Sequence, residues 1–95
     1  EFERALELDK TAERRAEIAA DLLRLGRVAE RRGFPDRGLA YSERAYRSYL
    51  AQGNQAQAIA AITFALDCAR RLGLVEEVAR LEKELIRLTG SRSGR

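Results

Sequence analysis

Hydrophobic residues recur along most of the chain at intervals of three and four, the spacing of one face of an α-helix. Glycine interrupts this pattern regularly, because Gly33, Gly53 and Gly73 stand twenty residues apart. A glycine at a helix C-terminus can adopt the left-handed conformation that ends the helix. The pattern therefore predicts helices of about equal length joined by tight turns, with one antiparallel helix pair every forty residues or so.

The spacing of these glycines and of the apolar residues predicts five helical segments, and the first of them is incomplete. The first looks like the end of a helix whose beginning is missing, and Thr11 is a plausible N-cap for the second. Asp36 or Asn54 can cap the helices that follow the next two turns. The predicted segments cover residues 1–10, 11–32, 36–52, 54–72 and 74–88.

We expect one all-α domain over residues 1–89, a solenoid of antiparallel helix pairs with about four full helices after the partial first one. The first pair covers residues 11–52 and the second covers residues 54–89. Residues 90–95 are predicted to form a disordered basic tail. The chain has no methionine, and we interpret it as a piece of a longer protein.

The second segment has its apolar residues at helical spacing, with Gly26 inside the pattern. An interior glycine costs about 1 kcal/mol relative to alanine, so it permits a close helix crossing or marks a break. The apolar spacing continues through Ala29, which favours the close crossing. The predicted inner face consists of Ile18, Leu22, Leu25 and Ala29, with Ala19 and Val28 beside it.

The third and fourth segments differ in how much of their surface is apolar. The third has three tyrosines, which we interpret either as the edge of the core or as an aromatic platform for a ligand. The fourth is apolar on most sides, which is typical of a central helix with several neighbours. Its narrow polar stripe is Thr63, Asp67 and Arg70. The inner face of the third is predicted to be Leu39, Ala45, Tyr46, Tyr49 and Leu50, with Tyr41 nearby.

The last segment carries a heptad-like seam of apolar residues. Two heptads are too few to define a coiled coil, so the seam fits either packing against the fourth helix or a contact between two molecules. The seam residues are Leu74, Val78, Leu81, Leu85 and Leu88.

Composition argues against catalysis. The chain contains no histidine and one cysteine, Cys68, which lies on an apolar face without a nearby base. Neither a glycine-rich phosphate loop nor metal-ligand spacing is present. We therefore expect a non-enzymatic protein with no cofactor and no metal site, and we expect Cys68 to be a buried thiol.

Charge and hydropathy bear on location and on the class of partner. The longest uncharged run, residues 48–66, contains Gln52, Gly53, Asn54, Gln55 and Gln57, so we expect no membrane span. A single cysteine excludes an internal disulfide and fits the reducing cytoplasm. Residues 1–23 have a net charge of −3 and residues 24–47 of +4, but acidic residues interrupt every basic face, which disfavours nucleic-acid binding.

The segment Leu22–Ala29 followed by Gly33 resembles the first helix of a tetratricopeptide (TPR) repeat, in the longer bacterial variant with about forty residues per helix pair. Gly26 falls at the position of the small residue of that helix. The segment Leu39–Tyr46 resembles the second helix, with Ala45 as the late alanine. Residues 2–9 are similar to the end of a preceding second helix. The following pair departs from the pattern, because Leu66 takes the place of Gly26.

The resemblance implies a right-handed superhelix whose first helices line a concave groove that binds peptides or helices of other proteins. Arginine in such a groove can form bidentate bonds with carboxylates, so we hypothesise an acidic or C-terminal segment as the ligand. The predicted groove residues are Leu23, Arg27, Glu30, Arg31, Thr63, Asp67 and Arg70. Self-association, through the Leu74–Leu88 seam, the helix ends or opposite charges, is the alternative hypothesis.

Overall fold

The computed structural model describes the backbone of residues 2–90 and the side chains of residues 13–90. This part of the chain is helical apart from three short turns and contains no strand, which confirms the all-α prediction. The helices are α1 (Phe2–Arg31), α2 (Pro35–Ala51), α3 (Gln55–Leu72) and α4 (Val75–Thr89). Most of the predicted tail, residues 91–95, lies outside the described residues.

The three regularly spaced glycines end α1, α2 and α3 as predicted. Gly73 shows why glycine is needed, because its φ of 72° lies in the left-handed region that other residues rarely adopt. In that conformation the amide of Leu74 donates to the carbonyl oxygen of Ala69 at 3.1 Å, which satisfies a carbonyl at the end of α3. Asn54 caps α3, since its side chain accepts a hydrogen bond from the amide of Gln57 at 3.3 Å.

Two predicted boundaries are wrong. Asp36 does not cap α2, because that helix already begins at Pro35, and Asp36 lies in its first turn. A negative charge there still interacts favourably with the helix dipole. The predicted break near Thr11 is absent, since α1 continues from Phe2 to Arg31. No glycine or proline lies between residues 1 and 25, so nothing local ends the helix there.

Each helix packs against the next one along the chain, and alternate helices also approach each other. Arg27 of α1 lies over the Phe64 ring of α3, and Glu30 of α1 forms an ion pair with Arg71 of α3. Tyr46 of α2 donates a hydrogen bond to Glu84 of α4. The molecule therefore has α1 beside α3 in one layer and α2 beside α4 in the other.

The core lies along α3, which confirms that this helix is central. The core cluster contains buried residues of all four helices, with its largest share from α3, and Ile62 has no exposed surface. Tyr46 and Tyr49 are buried at the edge of this core, as the first interpretation of the tyrosines predicted. The buried α3 side chains are Ala58, Ala61, Ile62, Ala65, Leu66, Cys68 and Ala69.

The inner face of α1 is rotated from its predicted position, although Ala29 is buried and Leu22 packs against the core as predicted. Ile18 and Leu25 are 51% and 49% exposed, whereas Ala19 and Leu23 are buried. Gly26 belongs to the same buried row, because Gly38 and Tyr41 of α2 pack against it. Small residues let two helices approach closely, so α1 turns Gly26 toward α2 and leaves Ile18 and Leu25 largely exposed.

Candidate partner-binding surface

The polar stripe of α3 lies on the molecular surface. Along the middle and C-terminal half of α3, Thr63, Asp67 and Arg70 are exposed, whereas the apolar residues between them are buried or half-buried. The hydroxyl of Thr63 donates to the carbonyl oxygen of Ile59 at 2.7 Å, which orients the side chain along the helix. Arg70 forms an ion pair of 2.7 Å with Glu82 of α4. This exposure agrees with the position predicted for these three residues.

On α1, Arg27 and Arg31 lie on the side of the helix that approaches α3. The guanidinium carbon of Arg27 lies 5.8 Å from the centre of the Phe64 ring, a cation–π contact that holds the side chain over α3. Both arginines are exposed, and neither forms an ion pair within the described residues. We refer to Arg27, Arg31, Thr63, Asp67 and Arg70 together as the α1/α3 surface.

Glu30 has a structural contact that the sequence did not reveal. Its carboxylate lies 2.8 Å from Arg71 of α3, and its side chain is only 16% exposed. A carboxylate held in this way connects α1 to α3 and is less accessible to a ligand than Arg27 or Arg31. Arg71, which was not predicted as a site residue, is its partner.

Leu23 does not face solvent as predicted, since it is only 7% exposed. The one-residue rotation of α1 turns it toward the core. It instead lies beneath a surface depression of about 280 Å³ where α1, α2 and α3 meet. The depression is lined by Ala20, Leu23, Arg24, Arg27, Tyr49 and Gln57. Sequence periodicity could not reveal this depression, because three different helices form it.

The apolar seam of α4 faces the protein interior. Leu81 and Leu88 are 1% and 9% exposed, and Val78 and Leu85 pack against the core. Gln55 at the start of α3 also donates a hydrogen bond to the carbonyl oxygen of Leu88. Of the seam residues only Leu74 is substantially exposed, at 39%, so the seam cannot join two molecules while α4 is packed on α3.

Cys68 is buried, as predicted, and lies close to the crossing of α1 and α2. Burial raises the pKa of its thiol to about 11, and the nearby Glu30 and Asp67 carboxylates act in the same direction. The thiol is therefore protonated at neutral pH and is not a nucleophile there.

No group of three or more acidic, cysteine or histidine side chains converges on a point suitable for a metal ion within residues 13–90. The described helices also contain no apolar stretch of the length needed to cross a bilayer. The α1/α3 surface presents guanidinium groups, one carboxylate and a hydroxyl, and the Phe64 ring lies beside Arg27. These groups are suited to binding by hydrogen bonds and charge.

Comparison of this chain with protein-family models, with curated proteins and with solved structures finds no match.

Proposed function

We propose that this chain is a non-enzymatic protein–protein interaction module that binds an acidic peptide or an acidic helix of a partner protein across the α1/α3 surface. In this proposal the helix pairs form a TPR-like right-handed array, and α1 and α3 line its concave side. The parent protein would be a larger bacterial protein of the cytoplasm. The TPR resemblance and the alternation of helices between two layers support this arrangement.

The observation that carries the proposal is the contrast among the arginines near α3. Arg70 and Arg71 each have a carboxylate partner within the chain, Glu82 and Glu30 respectively. Arg27 and Arg31 are also exposed but have no such partner among the described residues. Guanidinium groups that have no carboxylate partner within the chain can form bidentate bonds with a carboxylate of a ligand.

The surroundings of Arg27 favour a peptide as the ligand. The depression beside it has an apolar floor, Leu23 and Tyr49, and a polar rim that includes Gln57. A peptide side chain can enter this depression while its neighbouring carboxylate meets Arg27. Phosphate backbones of nucleic acid fit less well, because Asp67 lies on the same surface and would repel them.

The proposal is tested with an array of peptides that differ in their number of acidic residues and in a free or amidated C-terminus. We expect wild-type protein to bind acidic peptides, more weakly as salt is raised. Because a hydrogen bond to a charged group contributes about 1.5 to 3 kcal/mol, we expect the double variant Arg27→Glu/Arg31→Glu to lose at least about tenfold in affinity.

The matched control is Arg44→Glu, which reverses an exposed arginine of α2 that lies outside the α1/α3 surface. We expect this variant to bind the same peptides as the wild type. Equal affinity of the double variant and the wild type for the selected peptides, or no preference for acidic peptides, would disprove the proposal.

A further inference from the structure

A second open surface lies on the other side of α1, where it meets the start of α2. Leu25 and Phe34 are 49% and 44% exposed there, and Ile18 extends the apolar surface toward the N-terminus of α1. A groove of about 180 Å³ runs between the two helices. We call it the α1–α2 groove; it is lined mainly by Leu25, Val28, Phe34 and Tyr41, with Arg32 and Arg37 at its rim.

The repeat of forty residues shows what kind of element this groove accommodates. The residues at the positions equivalent to Leu25, Val28 and Tyr41 in the second helix pair are Ala65, Cys68 and Leu81. They are 0%, 0% and 1% exposed. α2 accounts for much of this burial, since Gly38 packs directly against the sulfur atom of Cys68. The α1–α2 groove is therefore the position that α2 occupies on the second pair, and there it is open.

The chain also carries a helix suited to that position. α4 corresponds to α2 in the repeat, and its Ile86 corresponds to Tyr46. Tyr46 is 8% exposed, whereas Ile86 is 45% exposed and Val75 is 78% exposed. α4 thus buries its seam against α3 and leaves a second apolar row uncovered.

The packing of α2 on α3 gives the register of this pairing. α2 lies antiparallel on α3 with Gly38 next to Cys68, and Tyr49 and Gln57 line one depression. Applied to α4 on α1 of another copy, this register puts Ile86 opposite Ala20, as Tyr46 lies opposite Ala60 within the chain.

We propose that copies of this chain associate head to tail, with α4 of one copy seated in the α1–α2 groove of the next. The two contact surfaces differ, so the association does not close on itself, and each added copy presents a new groove and a new α4. This inference is independent of the proposed function, because the α1/α3 surface lies outside the contact.

Sedimentation velocity over a range of protein concentrations tests the proposal. We expect the average mass of the wild type to rise with concentration beyond that of a dimer. Leu25→Glu blocks the groove and Ile86→Glu blocks α4, so we expect each variant alone to be a monomer. Both positions are exposed, and circular dichroism checks that both variants are folded.

The decisive measurement is an equal mixture of Leu25→Glu and Ile86→Glu. The first variant keeps an intact α4 and the second keeps an intact groove, so we expect the mixture to form a dimer and nothing larger. Ala56→Glu, at an exposed position of α3, is the control and should associate as the wild type does. A wild type that stays monomeric, a wild type that stops at a symmetric dimer, or a mixture that stays monomeric would overturn the proposal.

Discussion

At the scale of single residues, the two interior glycines Gly26 and Gly38 form a close contact between α1 and α2. A β-carbon built on Gly26 would lie 3.1 Å from the carbonyl oxygen of Gly38, and one built on Gly38 would lie 3.0 Å from the carbonyl oxygen of Gly26. Backbone is thus packed on backbone where α1 crosses α2. This finding confirms the close crossing that the uninterrupted apolar spacing around Gly26 predicted.

The first prediction is that Gly38→Ala destabilises the protein. Alanine is the better helix former by about 1 kcal/mol, but its methyl group would meet the Cys68 sulfur atom at 3.0 Å and the backbone of α1. Because backbone cannot move aside without separating α1 from α2, we expect the free energy of unfolding to fall by about 1 to 3 kcal/mol. Denaturant unfolding measures this change.

The control for Gly38→Ala is Arg44→Ala, at an exposed position of α2 that forms no ion pair or cation–π contact with the described residues. Surface substitutions of this kind change stability by about 0.5 kcal/mol or less. A Gly38→Ala protein as stable as the wild type, or more stable, would mean that the two helices separate easily.

At the scale of elements, α4 depends on one face for its attachment. Leu81 and Leu88 are buried, while Val75 and Ile86 on the same helix are exposed. α4 also has no side-chain cap at its N-terminus. A helix of fifteen residues is barely stable alone in water, so its stability comes from burying the seam on α3.

The second prediction compares two aliphatic positions of α4. Leu81→Ala removes a fully buried side chain and leaves a cavity, so we expect a loss of about 2 to 5 kcal/mol in the free energy of unfolding. Ile86→Ala removes an exposed side chain and should change it by about 0.5 kcal/mol or less. Both are measured by denaturant unfolding at a concentration where the chain is monomeric, and similar losses at the two positions would contradict the assigned face.

At the scale of the whole molecule, polar contacts join helices that are not consecutive. The hydroxyl of Tyr46 donates to Glu84 at 2.7 Å, and Arg80 of α4 lies 2.6 Å from Glu43 of α2. The hydrogen bond from Tyr46, followed by the one from Arg87, lowers the pKa of Glu84 below its usual 4.5. The layer formed by α2 and α4 therefore has a pH-dependent contact.

The third prediction follows from the sign of that shift. Glu84 binds a proton less readily in the folded chain than in the unfolded chain, because its pKa is lowered on folding. The ionised carboxylate therefore stabilises the folded protein above about pH 4.5, and this stabilisation is lost as the pH falls through the lowered pKa. We expect Tyr46→Phe to cost about 1 kcal/mol at pH 7. The difference in free energy of unfolding between Tyr46→Phe and the wild type should become smaller as the pH is lowered.

Urea unfolding of both proteins at neutral and acidic pH measures this narrowing. Tyr41→Phe is the matched control, since its hydroxyl forms no hydrogen bond with the described residues. A difference between Tyr46→Phe and the wild type that is the same at both pH values would show that Glu84 does not carry the effect.

Part of the binding surface could be predicted from the sequence because α3 is unusual. A helix that is apolar on most sides leaves only one polar stripe, so the exposure of Thr63, Asp67 and Arg70 followed from the pattern. Helix α1 has apolar residues on two neighbouring faces, with Ile18 and Leu25 on one and Ala19 and Leu23 on the other. Periodicity cannot choose between two such faces. The face with Ile18 and Leu25 was predicted to be buried, so Leu23 was wrongly assigned to the solvent-facing side.

The sequence by itself determined that the chain is helical and where the turns at Gly33, Gly53 and Gly73 fall, because the conformational freedom of glycine and the spacing of apolar residues act over a few residues. Only the tertiary structure decided which face of α1 is buried, that Glu30 pairs with Arg71, and that the α1–α2 groove stays open. Those outcomes depend on which helix lies alongside, and residues far apart in the sequence decide that.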